Sequence, residues 1–294
     1  MSVDAATKAA VLVDALPYIQ RFWGQVVVVK HGGHAMSPTP TAAQATGDAG
    51  SLDGFARDIV LMRSVGMRPV VVHGGGPQIG ELLARLGVHS EFRDGLRVTD
   101  AETLDVARMV LVGKVNRDLV GAINVHVPWA VGLSGEDAGL LNASRRSPEL
   151  GFVGDVESVN TSILDRLLAQ DLIPVVATIG SDDEGQAYNI NADTAAGAIA
   201  AALGAEKLVY LTDVEGLRRD ASDPTTLVST IGADDLEVML GDGSIGDGMI
   251  PKVRSCLDAV RGGVARAHIL DGRVPHALLL ELFTNEGVGT MVTP

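Results

Sequence analysis

Lys30 closes the run Val26-Val27-Val28-Val29-Lys30 and is followed by His31-Gly32-Gly33. A lysine ending a wholly apolar strand is costly to bury without a partner. The adjoining glycines would let backbone N–H groups approach a phosphate closely. Two readings of Lys30 stand: a phosphate contact, or a side chain that snorkels to solvent from the strand end. A second turn, His73-Gly74-Gly75-Gly76-Pro77, follows another apolar run and opens a helix pattern. A third, Thr212-Asp213-Val214-Glu215-Gly216, follows Leu208–Leu211. One glycine turn after a strand is often plain turn chemistry, whereas three in one chain point to an anionic ligand beyond the carboxyl ends of a sheet.

Further groups could complete such a site. Lys252, in Asp247-Gly248-Met249-Ile250-Pro251-Lys252, begins a helix pattern, where a cation opposes the helix dipole. A compensating anion explains it; so does a solvated surface position. Asn189-Ile190-Asn191-Ala192-Asp193 ends at a helix start. Asp193 there serves as an N-cap or positions lysines, and Asn189 and Asn191 share a side if the segment is extended. Arg97, in Gly95-Leu96-Arg97-Val98-Thr99, carries the group best suited to gripping a carboxylate, although any single arginine is commonly a surface residue.

Familiar alternatives are missing. No G-x-x-x-x-G-K-[ST] occurs, and Gly74–Gly76 fails G-x-G-x-x-G because Ile79 holds the third glycine's place. The seven histidines include no helical pair with a nearby glutamate of zincin type, so no protein-held metal site is expected.

The elements that must position these groups alternate. Residues 3–22 have an amphipathic helix pattern that Pro17 is expected to interrupt and kink. This arm packs on its own core or reaches a neighbouring subunit. The continuous β-branched run at 26–30 suits a strand buried on both faces. Residues 37–50 read as a loop. Helix patterns at 52–65, 77–86, 100–120, 160–169, 193–202, 233–240 and 250–260 alternate with strands at 69–72, 173–176, 208–211 and 267–270, with strand-like pieces over 129–158. The expected fold is α/β: an open, mostly parallel three-layer αβα sandwich with an N-terminal helical arm. The expected division is 1–24 as the arm, followed by two lobes at 25–178 and 179–294.

With 294 residues, 46% hydrophobic, the chain can bury a large core. A net charge of −14 with no basic face argues against nucleic acid. No apolar run reaches the roughly 18 residues that span a bilayer, and residues 1–20 lack the apolar core of a signal peptide. The single cysteine, Cys256, permits no internal disulfide, and a reduced, cytoplasmic compartment is the default expectation. Cys256 reads as a buried helix residue rather than a reactive thiol.

Together, Val28–Gly33, Val71–Gln78, Gly95–Thr99, Asn189–Asp193, Leu211–Leu217 and Gly248–Lys252 resemble, in order and over roughly residues 10–294, the amino acid kinase family. The triple-glycine turn, Gly-Leu-Arg-Val-Thr and Asn-x-Asn-Ala-Asp are most similar to its members that phosphorylate N-acetyl-L-glutamate. The resemblance implies that Lys30 and Lys252 flank the migrating phosphoryl group while Asp193 holds both ammonium groups. It puts backbone N–H groups of Gly32, Gly33, Gly75 and Gly76 on the phosphoryl oxygens and acceptor carboxylate, and Arg97, Asn189 and Asn191 on the acceptor. Thr212, Asp213 and Gly216 would lie in the ATP-binding lobe, with Mg2+ arriving on the ATP phosphates. An acceptor carboxylate of ordinary pKa about 4.3 is already ionised at neutral pH and needs no general base. Two lysines and glycine amides without a catalytic histidine therefore make chemical sense.

The Ala267–Arg273 and Glu281–Thr290 segments, with the N-terminal helix, look like the arginine-sensitive branch of that family. The resemblance implies an L-arginine inhibitor site at Tyr18, Lys207, His268, Glu281, Gly287 and Gly289, and helix arms that join dimers into a hexamer. On the residues alone, His268 and Glu281 are equally a strand-end and a helix residue. His31 and His34 depart from the family pattern, which usually has an aromatic and a small polar residue there. Rival expectations are a kinase for glutamate or aspartate, and a non-catalytic arginine-sensing subunit.

Overall fold

The computed structural model describes residues 4–32, 52–220, 223–246, 249–284 and 287–294. Gly33, His34, the 37–50 segment and the Asp247–Gly248 pair lie outside them. The strands are β1 (Val26–His31), β2 (Arg68–His73), the short pair β3 (Phe92–Arg93) and β4 (Leu96–Arg97), β5 (Ala130–Ser134), β6 (Leu141–Arg145), β7 (Val153–Val159), β8 (Ile173–Ala177), β9 (Ile179–Ser181), β10 (Ala187–Ile190), β11 (Lys207–Thr212), β12 (Thr230–Gly232), β13 (Arg266–Asp271) and β14 (Thr290–Thr293). Eight form one sheet in the order β12-β14-β13-β11-β1-β2-β8-β5, parallel throughout from β13 to β5, with β14 antiparallel to β13. Four further strands, β10-β7-β6-β9, close on themselves beside it.

The period of two along each strand divides the core. Val28, Val70, Val72, Leu208 and Tyr210 enter one apolar cluster, whereas Val27, Val29, Val71, Val209 and Leu211 enter another. The first is covered by helices α6 (Ser162–Ala169), α7 (Ala192–Ala202) and α9 (Ile250–Arg261), through residues such as Leu164, Ala196 and Val253. The second is covered by α1 (Ala5–Phe22), α2 (Leu52–Ser64), α3 (Gly76–Leu86), α4 (Ala101–Arg108), α5 (Asn116–His126) and α10 (Ala277–Phe283). A further helix, α8 (Ala233–Gly241), packs on α9. The expected three layers are present.

Three expectations need correction. Helix α1 runs unbroken through Pro17 from Ala5 to Phe22, so the missing N–H costs one hydrogen bond without ending the helix. The helix expected over 100–120 is three pieces: α4, a π-helical stretch at Met109–Val115, and α5. Its apolar spacing is helical throughout, and periodicity does not distinguish an i→i+5 stretch. The pattern reading also omits the β9–β10 hairpin, whose strands hold only three and four residues.

Candidate functional site

Parallel pairing brings the carboxyl ends of β1, β2, β8 and β11 together, and with them Lys30, the Gly74–Gly76 turn, Thr178 and the 212–216 turn. Lys30 follows the parity of Val28, so its side chain lies on the face covered by α7. There its Nζ meets Asp193 Oδ1 at 2.8 Å. Lys252, in the first turn of α9, brings its Nζ to 3.4 Å from Asp193 Oδ2. Both ammonium groups therefore converge on one carboxylate whose side chain is 7% exposed, Lys30 being 10% and Lys252 21% exposed. Burial alone would raise the Asp193 pKa, but the charges of Lys30 and Lys252 outweigh it and hold the carboxyl below its usual value. The triad keeps one uncompensated positive charge at the mouth of a cleft. Lys30 does not snorkel, and the anion that compensates Lys252 is Asp193.

Asp193 is not the cap of α7. Asn191 takes that position, its Oδ1 accepting from Asp193 N and Thr194 N at 2.9 and 3.2 Å. The cap fixes the backbone from which Asp193 reaches the lysines. The Tyr210 hydroxyl adds a bond of 3.1 Å to the Asp193 carbonyl, and Tyr210 is the β11 partner of Lys30 in the sheet register.

A cavity of about 230 Å³ adjoins the triad, lined by Lys30, Gly74–Gly76, Arg97, Thr178, Asn189, Asn191 and Asp193, with apolar walls from Ile79, Phe92, Leu111 and Val153. Arg97 is buried there: Nη2 donates to the Gly76 carbonyl at 2.8 Å, Nη1 to Ser90 Oγ, and the guanidinium stacks over Phe92 at 4.6 Å. Burial lowers its pKa. Asn189 Nδ2 donates to Thr99 Oγ1 at 3.3 Å. Gly75 has no room for a side chain, since a Cβ would stand 2.8 Å from Leu111 Cδ2 and 3.1 Å from Val115 Cγ2, both on the π-helical stretch. The cavity shares Asn191 and Asp193 with a larger cleft of about 1160 Å³ that holds Lys252, Pro251, Arg146 and Arg254.

A third cavity, about 290 Å³, is lined by Asp213–Arg218, Ser244–Gly246, Met249 and Arg273. Asp213 and Gly216 line it. Thr212 does not; its hydroxyl donates to Asp213 Oδ1 at 3.1 Å. A Cβ on Gly32 would stand 3.8 Å from Lys30 Nζ, which keeps Gly32 beside the triad. His31 has the opposite parity from Lys30. It is buried in a T-shaped contact with Phe55, the ring centroids 4.3 Å apart, and burial pushes its pKa down to about 3. Its ring lies on the opposite face of the strand from the Lys30 side chain.

The residues expected to bind arginine also cluster. Glu281 Oε1 lies 3.3 Å from Lys207 Nζ and 2.9 Å from His268 Nδ1. A Cβ on Gly287 would stand 3.4 Å from Glu281 Oε2. Gly289 has φ +92 and a Cβ would stand 2.1 Å from the Ile269 carbonyl, so the turn requires glycine. Phe22 of α1 presents its ring 5.3 Å from Lys207 Nζ; Tyr18, one turn earlier, packs on the same apolar cluster.

Ser90, Tyr210, Thr178 and Asn116 escaped the sequence reading. For Asn116 there was a signal: an amide on a helix face that otherwise buries Leu111, Val115, Leu119 and Ile123.

The amino acid kinase family is matched over residues 25–271, and the chain belongs to that family. Its relatives include proteins named acetylglutamate kinase. One from Saccharopolyspora erythraea is 55% identical, covering 99% of this chain and 94% of that one. Another, from Symbiobacterium thermophilum, is 53% identical over 99% of each. Among solved structures, N-acetylglutamate synthase from Neisseria gonorrhoeae, complexed with coenzyme A and N-acetyl-glutamate, is 28% identical with a TM-score of 0.82. That match covers 97% of this chain and 63% of the synthase chain. The same synthase complexed with coenzyme A and L-arginine gives 28% and 0.80, covering 97% and 65%. Carbamate kinase from Giardia lamblia, at 17% identity, 92% and 98% coverage and TM-score 0.66, shares the fold.

Proposed function

We propose that the chain transfers the γ-phosphoryl group of ATP to the side-chain carboxylate of N-acetyl-L-glutamate, forming N-acetyl-L-glutamyl 5-phosphate on the route to arginine. The carrying observation is the Asp193 carboxylate shared by Lys30 and Lys252, 2.8 and 3.4 Å away, beside a glycine-walled cavity. The reaction must bring two anions together and stabilise charge spreading over the transferred phosphoryl oxygens. Lys30 and Lys252 supply that charge on opposite sides of Asp193, which restrains their mutual repulsion. The Gly75 and Gly76 N–H groups serve the anionic centre from the cavity wall beside Lys30. Arg97 holds a carboxylate of the acceptor and Asn189 its amide. Gly32, Gly33, Thr212, Asp213 and Gly216 belong to the ATP side.

Among the described residues no group of three or more His, Cys, Asp or Glu side chains could hold a metal ion, and Asp193 is engaged by both lysines. These residues suit Mg2+ carried by phosphate oxygens and water, where it would neutralise phosphate charge.

The lobe division at about residue 178 assigns the acceptor to 25–178 and ATP to 179–294. The Lys207–His268–Glu281 cluster beneath the arm is read as a site for L-arginine, with Glu281 taking the guanidinium; the arginine complex of the related synthase supports this. The arm, 1–24, is read as the link between dimers in a hexamer, and the compartment as cytoplasmic.

ADP release tests the acceptor. With ATP and Mg2+, turnover is expected on N-acetyl-L-glutamate and to be far weaker on glutamate or aspartate. Turnover on free glutamate but not the acetylated acid overturns the choice. Arginine binding without turnover on any of them points to a sensing subunit instead.

A further inference from the structure

His73 and Asn116 are completely buried, and the reaction as derived so far uses neither. The surroundings of Asn116 leave its amide one orientation. Its Nδ2 lies 2.8 Å from the Val175 carbonyl, which can only accept, and its Oδ1 takes Arg117, which can only donate. Asn116 therefore turns Nδ2, which cannot accept, to His73 Nε2 at 3.0 Å, the Leu133 carbonyl lying farther off at 3.4 Å. Nε2 must accept, so the ring proton sits on Nδ1 and is donated to the Gly74 carbonyl at 3.1 Å. Burial pushes the His73 pKa down to about 4, so the ring stays neutral through the physiological range.

This bond acts on the glycine turn. The Gly74–Gly75 peptide is trans, so the Gly75 N–H points opposite to the held carbonyl. Neither the Gly75 nor the Gly76 N–H meets an acceptor among the described residues, and both glycines line the cavity beside Lys30. Without a side chain, Gly75 could otherwise rotate its peptide at little cost. We propose that His73, locked in one tautomer by Asn116, is a positioning residue that fixes the Gly74–Gly75 peptide and keeps the Gly75 N–H turned to the anionic reacting groups. The proposal rests on the phosphotransfer reading for its consequence, but not for the lock itself.

Two variants and one spectrum test it. His73→Asn puts an amide nitrogen near the former Nδ1 and keeps a donor for Gly74; His73→Phe fills the space and keeps none. In His73→Phe, kcat is expected to fall about 100-fold, the effect of losing one preorganised donor, with KM for ATP within about twofold of the parent. In His73→Asn, kcat is expected within about fivefold of the parent, the cost of one neutral hydrogen bond. Equal losses in both folded variants would overturn the proposal, because packing alone would then explain them. The imidazole 15N resonances of the parent read the lock without substrate: an unprotonated Nε2 at pH 7 supports it, and a protonated Nε2 overturns it. A parent with the expected tautomer but no turnover on any acid would refute the phosphotransfer reading and the catalytic consequence, while leaving the lock established.

Discussion

At the scale of single residues, the chemistry rests on charges that are buried only because they are shared. Asp193 between two ammonium groups is worth more than either ion pair alone, since removing it leaves two like charges facing each other. Asp193→Asn is expected to lower kcat about 100-fold or more, checked by ADP release on protein whose circular dichroism matches the parent. Arg97 is a different case. Its guanidinium holds Ser90, the Gly76 carbonyl and the Phe92 face at once, which an ammonium cannot do. Arg97→Lys is expected to raise KM for N-acetyl-L-glutamate about tenfold or more, a loss of roughly 1.4 kcal/mol, with a smaller change in kcat; unchanged KM would remove Arg97 from the acceptor. These residues were legible in the sequence because a lysine after four valines and an arginine ending an apolar piece are anomalies of composition. The bond that Asp193 N–H donates to Asn191 was not, since which of two polar residues two positions apart caps a helix depends on where the preceding strand ends.

At the scale of elements, strand parity assigns each histidine its environment. His31 and His73 share the odd parity of Val27, Val29 and Val71 and enter the apolar layer under α2 and α5. Burial lowers their pKa values to about 3 and about 4. An unfolded histidine titrates near 6.5, so below that pH the unfolded chain binds more protons than the folded one. Stability is therefore expected to be full above about pH 6.5 and to fall through the acid range, by up to about 1.4 kcal/mol per pH unit for each histidine. Thermal midpoints at pH 7 and pH 5 check this, and His31→Phe is expected to shrink the difference; equal midpoints would contradict it. The contact between the glycine turn and the π-helical stretch gives a second test. Gly75→Ala is expected to destabilise by about 1–3 kcal/mol through overpacking against Leu111, with part of the loss recovered by adding Leu111→Val. Buried strands were legible from their β-branched runs. The π-helical stretch and the β9–β10 hairpin were not, because no spacing rule separates the first from an α-helix and the strands of the second are too short to alternate.

At the scale of the molecule, the sheet gathers groups far apart in sequence to the carboxyl ends of its central strands, and the arm packs beside the Lys207–His268–Glu281 cluster. Helix α1 leaves Val11, Leu12, Val13 and Leu16 exposed while Phe22 anchors it beside Lys207. Removing residues 1–22 is expected to leave dimers and to blunt inhibition by arginine, as read by sizing and by arginine titration; intact hexamers would separate the arm from assembly. The sandwich was legible from alternation alone, whereas the arm's partner was not, because an amphipathic face does not reveal what covers it. The proposed phosphoryl transfer depends on two ammonium groups meeting across Asp193. The most direct measurement is the rate of phosphoryl transfer to N-acetyl-L-glutamate in Lys30→Ala and Lys252→Ala, each alongside its ATP affinity. Each rate is expected to fall about 100- to 1000-fold while ATP binding weakens by less than about tenfold. Near-parental transfer in either variant would contradict the paired-lysine site.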